Sequence, residues 1–208
     1  MRLINRQFME QFEAAAPYIK GLVIDVGCGN KPFADFISLR ATKYIGFDQA
    51  RSAADVICDV RHLPLDDNSV DTVLMLQVLD DVPEPLELLS EMNRVLRVGG
   101  ALVISVNQTW RVHDAPNDFF RFTPYGLRHL IAKAGLTTVQ VNPMGGMWAY
   151  FGNRLAFWVD DMFGSRPLLR PFARFVGVPI LILSGIVDRW DFHAEDTQNN
   201  FVIAIKAK

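Results

Sequence analysis

The alternation of short, almost purely apolar runs with segments of helical periodicity constrains the fold of this chain most. The predicted strands are Leu22–Asp25, Lys43–Asp48, Val56–Cys58, Thr72–Gln77, Ala101–Val106, Thr137–Val141 and Phe201–Lys206. Such alternation is typical of βαβ units in a parallel sheet. Because the runs lack the apolar-polar alternation of half-exposed strands, we expect helices on both faces. The sequence predicts an α/β, Rossmann-like fold with a seven-stranded, mostly parallel sheet.

The helices between these strands are marked by spacing and by helix-start and helix-stop residues. Residues 1–20 mix apolar and charged side chains, which predicts an amphipathic N-terminal helix and not a signal peptide. Pro85–Arg97 has apolar residues at helical spacing and is followed by Gly99–Gly100, which predicts a helix stop. Thr123, followed by a proline, predicts the cap of another helix.

Composition limits the organisation and the partners of the chain. A length of 208 residues fits a single domain covering 1–208, and half of the residues are hydrophobic, enough for a full core. With a net charge of -2 and scattered basic residues, we expect no nucleic-acid partner. The two cysteines and four histidines have neither disulfide-framework nor metal-cluster spacing. The expectations are a reducing, cytoplasmic environment and no bound metal.

An apolar segment before the last predicted strand, residues 144–196, is not required by the α/β pattern. It contains Phe172–Val187, a 16-residue run that is too short to span a membrane and is interrupted by Gly177 and Pro179. We expect a helical insert with three alternative roles: burial against the core, a homodimer surface, or peripheral contact with the inner face of a membrane. Burial or dimerisation is the favoured reading.

Glycines and acids follow the first three predicted strands. Gly27 and Gly29 follow the first strand, Asp48 ends the second, 23 residues after Asp25, and Asp59 follows the third. Glycines allow close approach of a ligand, and an acid at this distance in a βαβ unit can accept from ribose hydroxyls. A tight turn and two solvated acids are the alternative explanation. The three features together favour a nucleotide-type site at the carboxyl edge of the sheet.

These residues belong to motifs that resemble those of class I S-adenosylmethionine-dependent methyltransferases. The motifs are Asp25-Val-Gly-Cys-Gly29, Gly46-Phe-Asp48, Asp59-Val-Arg-His-Leu-Pro64, Asp71-Thr-Val-Leu-Met-Leu-Gln77 and Arg94-Val-Leu-Arg-Val-Gly-Gly100. They occur in the family's order and cover about residues 20–142. The resemblance implies a methyltransferase fold, S-adenosylmethionine as cofactor and transfer of a methyl group.

The resemblance also assigns roles to individual residues. It implies that Asp25, Gly27 and Gly29 line the methionine part of the cofactor. Asp48 would bind the ribose, and Asp59 with Val60 the adenine. Gln77 would lie in the loop beside the sulfonium. The complete predicted cofactor set is Asp25, Gly27, Cys28, Gly29, Asp48, Gln49, Asp59, Val60 and Gln77. This chain has Asp80-Asp81 where the family usually has Glu-His, so it lacks the imidazole at that place.

A narrower resemblance concerns residues 27–33 together with 113–127. These segments look like a methyltransferase subgroup associated with bacterial surface-polysaccharide and glycolipid genes, although that subgroup commonly has His where Asn117 stands. The second segment follows the fifth strand and combines polar with aromatic residues, which suits a substrate wall. We predict that His113, Asp114 and Arg121 serve the acceptor, with His113 as the leading base. The alternative is a surface loop in which Arg121 pairs with Asp118.

The acceptor implied by these resemblances is an oxygen or nitrogen of a small molecule, a sugar or a glycolipid-type compound. A non-catalytic scaffold and an oxidoreductase are the alternative functions. A methyltransferase-like scaffold that binds cofactor without catalysis is compatible with the Asp80-Asp81 departure. An NAD-dependent oxidoreductase is disfavoured because Pro32 stands where its fingerprint has a third small residue.

Overall fold

The structure, a computed structural model, describes residues 2–49 and 53–207 and forms two compact units. The first unit is α/β and comprises Gln11–Asn142 with the C-terminal residues from Asn200. The second is helical and comprises Pro143–Asn199 with the N-terminal residues up to Glu10. The single-domain organisation expected from chain length stays a prediction.

A seven-stranded sheet forms the centre of the α/β unit. Its strands are β1 (Gly21–Val26), β2 (Ala41–Asp48), β3 (Val56–Ile57), β4 (Val70–Leu76), β5 (Leu96–Asn107), β6 (Thr137–Met144) and β7 (Asn199–Ile205). The strand order is β3-β2-β1-β4-β5-β7-β6. The pairs from β3 across to β5 are parallel, and β7 is antiparallel. This confirms the predicted fold class and brings the carboxyl ends of β1 to β5 to one edge.

The helices of this unit are α2 (Ala34–Ser38), α3 (Pro85–Val95) and α4 (Pro124–Lys133). The N-terminal helix α1 (Arg2–Ala14) has residues in both units. The predicted helix over residues 1–20, of which residue 1 lies outside the described range, ends earlier than expected. Pro17 falls in a short 3-10 turn over Ala16–Tyr18. The Thr123 hydroxyl caps α4 by accepting from the Gly126 amide.

The core of the α/β unit lies where α3 packs on the central strands. Leu88, Leu89 and Met92 of α3 are fully buried. They belong to one cluster with Ile24 of β1 and Val73 of β4. This packing explains the near-continuous apolar runs, because strands covered on both faces cannot alternate with polar residues. It also fixes the strand ends that carry the predicted cofactor residues.

The boundary between α3 and β5 differs from the prediction. The helix ends at Val95, and the strand begins at Leu96, before the glycine pair that was expected to separate them. The register with β4 shifts between Val70, opposite Leu96, and Thr72, opposite Ala101. Gly99 has a φ of +79°, so the glycine accommodates an irregularity inside the strand rather than the helix stop.

The helical unit consists mainly of α5 (Met147–Phe163) and α6 (Arg170–Trp190). The predicted insert is therefore helical, as expected. The second helix is longer than the 16-residue apolar run, because it continues through Pro179 for 21 residues. By length and composition α6 could cross a membrane, with a mean hydropathy of 1.6 and only 22% of its most apolar window buried.

Candidate functional site

A pocket of about 400 Å³ opens at the carboxyl edge of the sheet, entirely within the α/β unit. This volume lies in the range of small-molecule sites. Its lining is Gly27, Asp48, Gln49, Asp59, Val60, Arg61, Gln77, Val78, Asp81, Val82, Pro83, Asn117 and Phe119. Six of the nine predicted cofactor residues are among them, so the structure brings together positions that are distant in sequence.

The turn after β1 forms the floor of the pocket. Gly27 has a φ of +68°, and a Cβ at this position would lie 2.4 Å from Val78 Cγ2. A side chain is therefore excluded by backbone conformation and by space. The amide of Gly27 donates to the carbonyl of Phe47, which holds the turn against the end of β2.

The acid at the end of β2 is tied to this turn. The Gly29 amide donates to Oδ2 of Asp48 at 2.9 Å. A carboxylate has about four acceptor sites, so Asp48 can hold the turn and still accept from two ribose hydroxyls. Gln49 follows it in the pocket lining. Gly29 itself is absent from the lining and acts through Asp48.

Asp59 and Val60 form the part of the pocket after β3. Both carboxylate oxygens of Asp59 already accept from Arg61, whose Nη2 lies 2.8 Å from Oδ2. These bonds lower the pKa of Asp59 below its ordinary value. Arg61 also reaches Glu84. The carboxylate is thus held in a fixed orientation beside the buried side chain of Val60.

Gln77 follows β4 with an unusual backbone. Its φ of +60° is uncommon for a residue that is not glycine. The side-chain Nε2 donates to the hydroxyl of Ser105, and the backbone amide donates to the carbonyl of the same residue. Strained conformations of this kind persist where surrounding bonds enforce them and cluster at functional sites. The predicted position beside the reacting group is therefore rigid.

Asp25 and Cys28 lie beside the pocket and outside its lining. Asp25 is buried, and its Oδ2 accepts from the hydroxyl of Tyr44 at 2.6 Å. Burial raises the pKa of Asp25 to about 6. Burial also raises the pKa of the Cys28 thiol to about 11, so it is protonated at neutral pH and a poor nucleophile. Both cysteines of the chain are free thiols.

The predicted acceptor residues form a chain of contacts that begins at Arg121. Its guanidinium donates to both oxygens of Asp118, whose side chain is only 2% exposed. The Arg121 guanidinium holds the pKa of Asp118 far below its ordinary value. Asp118 Oδ2 in turn lies 3.1 Å from His113 Nδ1. Arg121 thus acts through Asp118, as in the structural alternative, and Asp118 orients the imidazole.

His113 lies beside the acids that follow β4. Ligand atoms of Asp80, Asp81 and His113 all lie within 4.8 Å of one another. The Asp80 Oδ2 accepts from Asn107, while Oδ1 of each acid is buried without a hydrogen-bond partner. Burial, and then the charge of Asp80, raise the pKa of Asp81 to about 6. An imidazole from the segment after β5 thus lies beside the Asp80-Asp81 motif.

This cluster can be neutralised by a shared proton, and its donor set would also suit a divalent cation. The absence of a bound metal stays a prediction. Asp114 contributes less to the cluster, because its Oδ2 is 3.7 Å from His113 Nε2 and its side chain is exposed.

Sequence reasoning missed five lining residues: Arg61, Val78, Asp81, Val82 and Pro83. All of them follow the ends of β3 or β4. Position after a parallel strand was the signal that could have identified them. The amide of Phe119 donates to the backbone carbonyl of Asp80, which fixes the segment after β5 against the segment after β4. Asn117 and Phe119 belong to the predicted substrate wall of residues 113–127 and line the pocket, whereas His113, Asp114 and Arg121 of the same segment do not.

Known proteins that resemble this chain in sequence are methyltransferases. Residues 24–104 match the family described as methyltransferase domain. A probable S-adenosylmethionine-dependent methyltransferase of Mycolicibacterium smegmatis is 32% identical over 121 residues, which are 53% of this chain and 46% of that protein. A ubiquinone biosynthesis O-methyltransferase of Cereibacter sphaeroides is 25% identical over 183 residues, which are 70% of this chain and 74% of that protein. The chain spans about half the length of the mycobacterial relatives it matches.

Solved structures share the fold. An S-adenosylmethionine-dependent methyltransferase from Archaeoglobus fulgidus superposes with a TM-score of 0.62 at 18% identity, covering 95% of this chain and 92% of that one. The [4+2]-cyclase SpnF superposes with a TM-score of 0.66 at 19% identity, covering 95% and 80%. S-adenosylmethionine is the cofactor that the family implies. Residues 24–104 thus match the methyltransferase domain family, and the chain has the fold of the class I S-adenosylmethionine-dependent methyltransferases.

Proposed function

We propose that this protein transfers a methyl group from S-adenosylmethionine to an oxygen or nitrogen of a small-molecule, sugar or lipid-linked acceptor. The observation that carries the proposal is the position of Asp81. Asp81 is a lining residue of the pocket, and one of its carboxylate oxygens lies within 4.8 Å of a ring nitrogen of His113. A group that can receive a proton thus adjoins the space in which methyl transfer would occur.

The residues of the pocket fit this cofactor. Gly27 leaves room at the floor, Asp48 offers acceptors for the ribose hydroxyls, and Val60 offers an apolar wall for the adenine. When bound, the cofactor supplies the methyl group as an electrophilic sulfonium. The rest of the catalysis is alignment, for which the rigid backbone at Gln77 and the wall of Asn117 and Phe119 are suited.

Proton removal is the second contribution of the chain. As the acceptor gains the methyl group, its hydroxyl or amine loses a proton. His113 is the proposed recipient, because Asp118 orients its ring through Nδ1 and leaves Nε2 on the other side. Asp81 is the alternative recipient, since its raised pKa of about 6 suits proton transfer near neutral pH.

Isothermal titration calorimetry with S-adenosylhomocysteine tests the cofactor, with NAD as the matched control. We expect binding of S-adenosylhomocysteine and none of NAD. A second assay follows methyl transfer from labelled S-adenosylmethionine to hydroxyl, amine and lipid-linked acceptors. Cofactor binding without transfer to any acceptor class would favour the scaffold function, and NAD binding would favour the oxidoreductase.

A further inference from the structure

Helices α5 and α6 form a hairpin with small residues in the middle of the contact and large apolar side chains on its exposed faces. Near the turn, the rings of Phe163 and Phe172 also meet. A Cβ on Gly152 of α5 would lie 2.0 Å from the Ser184 hydroxyl of α6, and Gly177 of α6 faces Ala156. Close approach through glycine, alanine and serine is typical of helices that associate in lipid.

The large apolar side chains of the hairpin point outward. The exposed ones are Trp148, Phe151, Leu155, Trp158 and Met162 of α5, and Phe172, Phe175, Val178, Ile182, Leu183, Ile186, Val187 and Trp190 of α6. In α5 they recur every three or four residues, which aligns them in a single stripe. A surface formed by this many exposed apolar side chains marks an interaction site, because contiguous apolar area is costly in water.

The charges and aromatic residues of the hairpin indicate which partner covers this surface. Residues 162–187 contain Arg166, Arg170 and Arg174 and no acidic residue, and all three arginines are exposed. Three of the four tryptophans of the chain lie on the hairpin, at 148, 158 and 190. Arginines attract anionic headgroups, and tryptophan favours the membrane-water interface.

The hairpin also carries charges that limit how deeply it can enter a bilayer. Arg154, Asp160 and Asp161 of α5 are exposed. A spanning hairpin would place such side chains in hydrocarbon, which is costly. An orientation in the plane of the interface lets the apolar stripes enter the acyl region while the charges remain in water.

We propose that the α5–α6 hairpin is an interfacial anchor that binds the surface of an anionic lipid bilayer. This anchor is independent of the proposed methyl transfer. It predicts that the full chain binds vesicles with or without cofactor.

Flotation of the full chain with vesicles tests the anchor. We expect binding to phosphatidylcholine vesicles that contain phosphatidylglycerol, weaker binding to phosphatidylcholine alone, and a blue shift of tryptophan emission on binding. Leu183→Glu, at a position 62% exposed, should weaken binding by about tenfold or more. The matched control is Leu39→Glu, in the α/β unit and 84% exposed, which should bind as the wild type does.

Charge-reversal variants measure the electrostatic contribution to vesicle binding separately from the apolar contribution. Arg170→Glu with Arg174→Glu should reduce binding to anionic vesicles by at least about tenfold. Arg128→Glu, an exposed arginine of α4, is the control. Calorimetry with S-adenosylhomocysteine on the Leu183→Glu variant should match the wild type, which keeps this proposal separate from the catalytic one. Absence of flotation, equal flotation of Leu183→Glu, or a lipid-free dimer abolished by Leu183→Glu would overturn the anchor.

Discussion

The Gly29 amide donates to Oδ2 of Asp48 at 2.9 Å and thereby joins the turn after β1 to the acid that ends β2. One carboxylate thus shapes the pocket floor and offers acceptors to a bound ribose. Replacing it removes both contributions.

Asp48→Ala should weaken binding of S-adenosylhomocysteine by about tenfold to a hundredfold, because lost hydrogen bonds to a charged group cost about 1–3 kcal/mol. Asp48→Asn keeps an acceptor for the Gly29 amide, so its affinity for S-adenosylhomocysteine should fall between those of the wild type and Asp48→Ala. Titration calorimetry measures both, and Asp66→Ala, an exposed acid outside the pocket, is the control. Wild-type affinity of a folded Asp48→Ala variant would remove this residue from the site.

Asp81 should make cofactor preference depend on pH. Its pKa is raised to about 6, so the side chain is an anion at pH 8 and is largely neutral at pH 5. An anion lining the pocket favours the cationic S-adenosylmethionine over the neutral S-adenosylhomocysteine by at least about fivefold, because a charge pair about 4 Å apart gains about 1 kcal/mol even at the dielectric constant of water. Competition titrations at the two pH values should show this preference in the wild type at pH 8. The preference should be lost in Asp81→Asn, and its persistence there would assign it to another group.

Arg121 should contribute to stability through Asp118. Within the described part of the chain, removing the guanidinium leaves the Asp118 carboxylate with only its contacts to His113, so Arg121→Ala should lower the free energy of unfolding by about 1–3 kcal/mol. Arg121→Lys should retain more of the free energy of unfolding than Arg121→Ala does, but less than the wild type. Lysine cannot bond to both carboxylate oxygens in the planar geometry of a guanidinium. In urea denaturation, the Arg121→Ala and Asp118→Ala effects should be non-additive in the double variant.

Additive effects of these two substitutions would show that Arg121 acts on something other than Asp118. Cofactor affinity should be unchanged in each variant, because neither residue lines the pocket.

Asp25 should destabilise the fold progressively as pH rises. Its pKa is near 3.8 in the unfolded chain and about 6 in the folded protein, so the folded state binds more protons between these values. The free energy of unfolding therefore falls with rising pH across this window, by on the order of 3 kcal/mol in total. In Asp25→Asn this contribution is absent, so its free energy of unfolding should fall less than that of the wild type between pH 4 and pH 6. Thermal denaturation from pH 4 to pH 8 compares the two proteins, and parallel pH profiles would contradict the raised pKa.

The sequence by itself determined the sheet and its carboxyl edge. Short apolar runs that alternate with helical segments predict the strands of a parallel sheet, and residues that follow such strands meet at one edge. Gly27, Asp48, Val60 and Gln77 were therefore predictable as neighbours.

Only the tertiary structure decided which groups these residues contact. Hydrogen bonds between segments distant in sequence leave no periodic signal. The approach of His113 to Asp80 and Asp81 is a contact between such segments. The pairing of Arg121 with Asp118, three residues apart, was one of the two alternatives that the sequence offered, and the structure shows it. Likewise, the apolar content of α5 and α6 was visible in the sequence, but its direction was not. Small residues lie at the contact between the helices, and large side chains such as Leu183 are exposed, because the direction of a side chain depends on which helix faces meet.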